Sequence, residues 1–345
     1  ETLIKILKMT KKYDLYALGN ALVDVEIEVN ETELERLGVE KGVMTLVDEE
    51  RHDYLLGHLK GSIHQRASGG SAANSVIALA QLGGKAFHSC KVAKDEAGVF
   101  YSDDLDDAGV TNTLSQLEGN EGTTGKCLVM ITPDADRTMN TFLGISSELK
   151  EQDINYEALG DSQYLYIEGY LVSSPDAHFA AIKARDFARE KGVKVATTLS
   201  DPNMVRFFKP EIEQILDGGV DLLFCNDDEA LEYTGAENVE KALTILSQQA
   251  KQVVITLGKE GALSFDGEKV QTIEPFNVKA LDTNGAGDMF AGAFMYGLTN
   301  GLSWADTGKL ASFSSAHLVT QFGPRLKPEA VAELKQFVEK EFSTQ

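Results

Sequence analysis

From about Glu148 onward the chain alternates apolar strand-like runs with helical segments, and this alternation constrains the fold more than any other feature. Tyr164-Leu165-Tyr166-Ile167 reads as a strand and Asp176 to Lys191 as a helix. Val193 to Leu199, Val220 to Cys225 and Lys251 to Leu257 read as further strands, with helices at Pro210 to Leu216 and through Leu243. Apolar strands alternating with helices imply a mostly parallel sheet with helices on both faces. Tyr13 to Gly19 and Lys85 to Val92 supply two more strands, and Asp95 to Asp107 and Ala311 to Thr320 two more helices, with His317 a structural residue in the latter. A chain of 345 residues has room for one such α/β core and a smaller excursion.

The excursion has its own pattern. Val25-Glu26-Ile27-Glu28-Val29 alternates strictly, as a strand with one wet face does. Val43 to Val47 is a second short strand. Gly125 to Ile131, the turn Asp134-Ala135-Asp136-Arg137 and Thr138 to Leu143 form a hairpin. These segments predict a small β lid at residues 25–48 and 113–147, outside a core at 1–24, 49–112 and 148–345.

The chemistry concentrates in Leu281-Asp282-Thr283-Asn284-Gly285-Ala286-Gly287-Asp288. Phe290, Ala293, Phe294, Gly297 and Leu298 follow at helical spacing, so a glycine-rich loop opens a helix. Small residues let backbone N–H groups approach a ligand, and the first N–H groups of a helix have no partner and carry positive potential. Gly285, Ala286 and Gly287 therefore make an anion site suited to phosphate. Asp288, in the first turn, is placed to take a proton from a hydroxyl attacking a phosphoryl group. An Asp there is also common for dipole reasons alone. The chain has no G-x-x-x-x-G-K-[ST], and Phe290 stands where a dinucleotide fingerprint needs its third glycine.

The formal net charge of −22 disfavours a nucleic-acid surface. Nucleotide phosphates must then be met by backbone N–H groups, a metal ion and few basic side chains. Cys90, Cys127 and Cys225 show no metal or disulfide spacing, which suits a reducing cytosol. No run is long and apolar enough for a membrane span, and Glu1 to Lys12, read as a short amphipathic turn, has no signal-peptide pattern. The expectation is a cytoplasmic protein without nucleic-acid or membrane partners, monomeric or homodimeric.

Other candidate positions follow the ends of elements. Asn20 and Asp24 come just after the first strand, where open α/β sheets bind ligands, and equally suit a turn or cap. Ser68-Gly69-Gly70-Ser71-Ala72-Ala73-Asn74 precedes a helix to about Leu82 and suits either a plain N-cap or close approach to a ligand. Asn226-Asp227-Asp228-Glu229 suits a helix cap, and Thr256-Leu257-Gly258-Lys259-Glu260-Gly261 a hairpin turn into Ala262 to Phe265.

Taken together, D-T-N-G-A-G-D at 282–288 and G-G-x-x-x-N at 69–74 resemble the two signatures of the ribokinase-like (PfkB) carbohydrate and nucleoside kinases. The resemblance runs from Asn20 to Arg325. It implies a ribokinase-like fold, ATP and Mg²⁺ as cofactors, possession of a K⁺ site in some form, and a small-molecule nucleoside or sugar as acceptor. It makes Asp288 the catalytic base and Gly285, Ala286 and Gly287 the anion hole. Asn20, Asp24, Gly69, Gly70 and Asn74 then hold the acceptor, and Arg137 reaches the transferred phosphate. Asn226, Thr256, Gly258, Gly261 and Asn284 stand beside the nucleotide. Glu229 and Asn226 organise Mg²⁺ through water, which suits an ion that dehydrates reluctantly, and Asp282 and the loop Gln321 to Arg325 lie by the monovalent cation and the adenine. Several details resemble adenosine kinases most closely: Gly19-Asn20 with Asp24, Gly69 to Ser75, Thr124 to Cys127, Thr198-Leu199-Ser200 and Asn284. Ser200-Asp201-Pro202-Asn203 departs toward the sugar kinases and keeps a sugar acceptor open.

Overall fold

In the computed structural model the described residues are 11–59, 63–114 and 120–342. The reading of Glu1 to Lys12 as an amphipathic turn therefore lies, for residues 1–10, outside them. The strands in chain order are β1 (Tyr13–Leu18), β2 (Leu22–Glu28), β3 (Met44–Leu46), β4 (Ile63–Gly69), β5 (Ala86–Ser89), β6 (Gly125–Ile131) and β7 (Arg137–Phe142). They continue with β8 (Ser162–Ile167), β9 (Lys194–Thr198), β10 (Val220–Asn226), β11 (Ala250–Thr256), β12 (Ala262–Phe265) and β13 (Val270–Ile273).

An eight-stranded sheet runs in the order β13-β12-β11-β10-β9-β8-β1-β5. Its strands from β5 to β11 pair in parallel, and β12 and β13 add an antiparallel edge. One apolar cluster lies under the helix Pro175–Glu190, and another joins the helices Ser71–Gln81, Ala286–Thr299 and Trp304–Leu318. The sheet is thus covered on both faces, as apolar parallel strands require.

A five-stranded sheet, β3-β7-β6-β2-β4, stands beside it. It is larger than the lid drawn from sequence. β2 begins at Leu22, so Asp24 lies on this sheet and not at the rim of the core. Ile63–Gly69 and the helix Glu49–Leu59, assigned to the core at 49–112, also belong to it. The alternation of β2 is real, but its polar face is wet only at its end, where Glu28 is exposed. Ile27 and Val29 pack under the helices Glu31–Leu37 and Glu49–Leu59, while Asp24 and Glu26 are buried.

Helical backbone begins at Pro202, with Asp201 as its N-cap, and leads across a kink into the helix expected at Pro210 to Leu216. Proline is pre-shaped for a first helical turn. Pro210 sits inside, and Phe208, at φ −130° and ψ 30°, absorbs the resulting kink. The helix expected at Ala311 begins earlier, at Trp304. His317 is structural: its ring faces the Phe313 carbonyl and Glu333.

Candidate active site

The glycine loop has the geometry its composition requires. Gly285 has φ 75°, and a Cβ there would lie 2.9 Å from Pro324. Either fact alone excludes a larger residue without strain. The helix Ala286–Thr299 follows, with no side-chain cap at its start. Of the three residues expected to form an anion hole, Ala286 has its N–H taken by the Thr283 carbonyl (3.1 Å). Gly287 has open space around it.

Asp288 lies in the first turn and accepts from Ser71 Oγ (2.6 Å) and Asn74 Nδ2 (3.0 Å). These bonds join two motifs more than two hundred residues apart in sequence. Their approach depends on Gly292, where a Cβ would lie 2.3 Å from the Ser75 carbonyl oxygen. Burial raises the Asp288 carboxyl above its ordinary range, against the lowering effects of Ser71, Asn74 and Arg137. Burial thus makes Asp288 a better proton acceptor than an ordinary Asp.

All the sequence-nominated site residues except Gly69, Asp282 and the loop Gln321 to Arg325 line one cavity of about 600 Å³. Gly69 acts from behind: a Cβ there would lie 2.1 Å from the Asp24 carboxylate, so glycine makes room for that side chain. Gly70, at φ 101°, presses on the Asn20 carbonyl in the same way. Asn20 Oδ1 and Asn74 Oδ1 are buried without partners. Asp24 is buried beside them, and burial followed by repulsion from Glu26 raises its carboxyl well above normal. Two buried acceptors without donors and a carboxyl beside them suit a ligand rich in hydroxyls.

Glu168, at the end of β8, was not legible as a site residue. Its two oxygens accept from the backbone N–H groups of Asn20 (3.1 Å) and Ala72 (2.8 Å), tying the end of β1 to the glycine-rich helix start. Burial pushes it up to about 8. Its only sequence signal is an acid following an apolar strand.

Arg137 opens β7 and lines the cavity with Asp288 and Glu229; the charges of both, and of Asp201 outside the lining, act on it. Among the described residues it has no carboxylate within salt-bridge distance, so its charge is available to a ligand. Asn226 and Glu229 form a reciprocal capping box (2.8 and 3.0 Å), so the cap and the cavity wall are the same residues. Burial pushes Glu229 up to about 7. Among the described residues no group of three or more His, Cys, Asp or Glu is placed to hold a metal. Asn226 Oδ1 and one oxygen of Glu229 are spent on the cap, which fits a cation held through water rather than directly.

Thr256, Gly258 (φ 55°) and Gly261 (φ 87°) line the far end. There Phe276, Val278, Ala280, Ala316 and Val319 form an apolar slot assembled from separate segments. The loop Gln321 to Arg325, expected beside the adenine, does not line the cavity. Arg325 instead bonds Asp104 (2.7 Å) and Ser68, and Gly323 N–H donates to Asp282 (2.9 Å). Asn284 turns its amide to Glu26 rather than into the open cavity (2.9 Å).

A model of the pfkB family of carbohydrate kinases matches residues 44–330. The chain belongs to this family. It is a kinase for a sugar or a nucleoside, and membership implies ATP as donor, with Mg²⁺. Its fold matches a probable sugar kinase from Rhizobium etli CFN 42 with TM-score 0.89 and 32% identity over 94% of this chain and 98% of that one. An adenosine kinase from Sinorhizobium meliloti is equally similar, with TM-score 0.89 and 32% identity over 94% and 99%. The adenosine kinase of Saccharomyces cerevisiae is 26% identical over 93% of this chain and 99% of its own length.

Proposed function

We propose that the chain transfers the γ-phosphoryl group of ATP to the primary 5′ hydroxyl of a purine nucleoside, most closely adenosine, giving AMP. The observation that carries the phosphotransfer is Asp288, raised by burial, in the first turn of an uncapped helix and held by Ser71 and Asn74. The hydroxyl proton passes to a free lone pair of the Asp288 carboxylate as the oxygen–phosphorus bond forms and ADP leaves. The N–H groups of Gly285 and Gly287 and the Arg137 guanidinium meet the charge on the transferred group. Glu229 and Asn226 would hold Mg²⁺ through water, where it neutralises phosphate charge.

Acceptor choice rests on the chamber beside Asp24, Asn20 and Asn74. Its walls are Leu22, Met44, Leu46, Cys127, Met139 and Leu143 of the small sheet. A free sugar has no apolar group for such walls, whereas a nucleobase does. Asp24 then meets ribose hydroxyls. The sugar-kinase-like Asp201 and Asn203 do not line the cavity; both bond the Met44 backbone, at 3.2 and 3.3 Å. The small sheet acts as a lid that keeps water from competing as acceptor.

Asp288→Asn tests the assignment. Turnover is expected to fall about 10²–10⁴-fold, while thermal stabilisation by acceptor and nucleotide persists. Ligand stabilisation of a wild-type protein that turns over no acceptor would instead mark a nucleotide or sugar sensor.

A further inference from the structure

Glu26 does not line the cavity, yet it is buried on the face of β2 turned toward the core. Its Oε2 accepts from Gln65 Nε2 of β4 (2.7 Å) and its Oε1 from Asn284 Nδ2 (2.9 Å). The Asn284 N–H donates to Asp282 Oδ1 (2.7 Å), and Asp282 Oδ2 accepts the Gly323 N–H (2.9 Å). Gly323 has φ 103°, and a Cβ there would lie 1.9 Å from Gln65 Nε2. Hydrogen bonds therefore run from Gln65 through Glu26, Asn284 and Asp282 to Gly323, and the circuit closes by the packing of the Gly323 backbone against Gln65. It crosses from the small sheet to the core and back. Between Asp282 and Asn284, Thr283 donates its N–H (3.2 Å) and its hydroxyl (2.9 Å) to the carbonyl of Ala135, in the turn between β6 and β7. The three residues that lead into the glycine loop are thus all fixed by this circuit or by the small sheet.

We propose that Glu26 is a positioning residue: through Asn284 it makes the geometry of the glycine loop, and hence of Asp288, depend on the small sheet being seated on the core. The consequence for turnover rests on Asp288 being the base; the structural coupling does not. With the sheet lifted, Asn284 loses its carboxylate partner and the loop loses its register. ATP bound without an acceptor then meets an unassembled site. Buried, fully connected polar networks fix geometry in this way.

The test reverses the polarity of one contact. Glu26→Gln leaves an amide that cannot accept from both donors in the original geometry, and Asn284→Asp sets a carboxylate against Glu26. The two together restore complementarity, because the amide at 26 accepts from Gln65 and donates to the carboxylate at 284. Each single variant is expected to lower kcat about tenfold and speed amide hydrogen exchange over 282–289 about tenfold, and the double variant to return both to within about threefold of wild type. Single variants that change only the melting temperature, with exchange and kcat per folded molecule unaltered, would overturn the proposal. So would a double variant no better than the worse single. If a single variant fails to fold, Gln65→Met breaks the circuit from β4, and unchanged exchange over 282–289 would overturn it equally. A wild type without turnover would sink the kinase assignment to Asp288 while exchange still decides this coupling.

Discussion

At the scale of single residues, the site concentrates carboxylates that burial has pushed upward: Asp24, Glu168, Glu229 and Asp288. Two consequences differ in sign. For stability, a carboxyl raised in the folded state contributes most below its unfolded value and loses that contribution as pH climbs through its folded value. For Glu229 and Glu168 the window runs from 4.5 up to about 7 and about 8. The ligand-free protein is therefore expected to lose melting temperature as pH rises through that window. Glu168→Gln should flatten the profile, at a cost of about 1–3 kcal/mol for the imperfectly satisfied backbone N–H groups. Differential scanning fluorimetry across pH checks this, and an unchanged slope in the variant would count against it. For catalysis, Asp288 must be unprotonated to act as base. The acid limb of the kcat/KM profile should therefore lie above the ordinary carboxyl value of 3.8, and a limb at or below that value would contradict a buried base.

At the scale of elements, the parallel strands were legible because each is an apolar run bounded by turns, and β6 runs over the expected span, Gly125–Ile131. β4 was not legible. Ile63-His64-Gln65-Arg66-Ala67-Ser68-Gly69 shows no apolar alternation, and it is a strand because β2 offers it an antiparallel partner. The Asp288 and Gly70-to-Asn74 segments could be read because loop chemistry must be local. Glu168 could not, since its role is to bridge two backbones that only the fold brings together. The apolar slot of Val278, Ala280, Ala316 and Val319 has the same cause. Of the stretch Ser200 to Asn203, which keeps a sugar acceptor open, Ser200 lines the cavity, while Asp201 accepts from Met44 N–H and Asn203 Nδ2 donates to the Met44 carbonyl. Asn203→Asp sets a carboxylate against that carbonyl. It is expected to raise the acceptor KM about tenfold, with KM for ATP little changed. Equal effects on both substrates would show that the clasp holds the whole site rather than the acceptor chamber.

At the scale of the molecule, the bonds that seat the small sheet on the core include Met44 with Asp201 and Asn203, Ala135 with Thr283, Glu26 with Asn284, Ser68 with Asp104 and Arg325, and Gly69 with Tyr101. Among the described residues no helix is long and apolar enough to cross a membrane. The family fixes a sugar or nucleoside kinase; the proposal of a purine nucleoside rests on the apolar walls over Asp24. Measuring ATP consumption with Mg²⁺ and K⁺ across adenosine, inosine, guanosine, ribose, fructose and fructose phosphates tests this most directly. Fast turnover on adenosine or another purine nucleoside, with ribose inert, is the predicted result. Turnover confined to a free or phosphorylated sugar would contradict it.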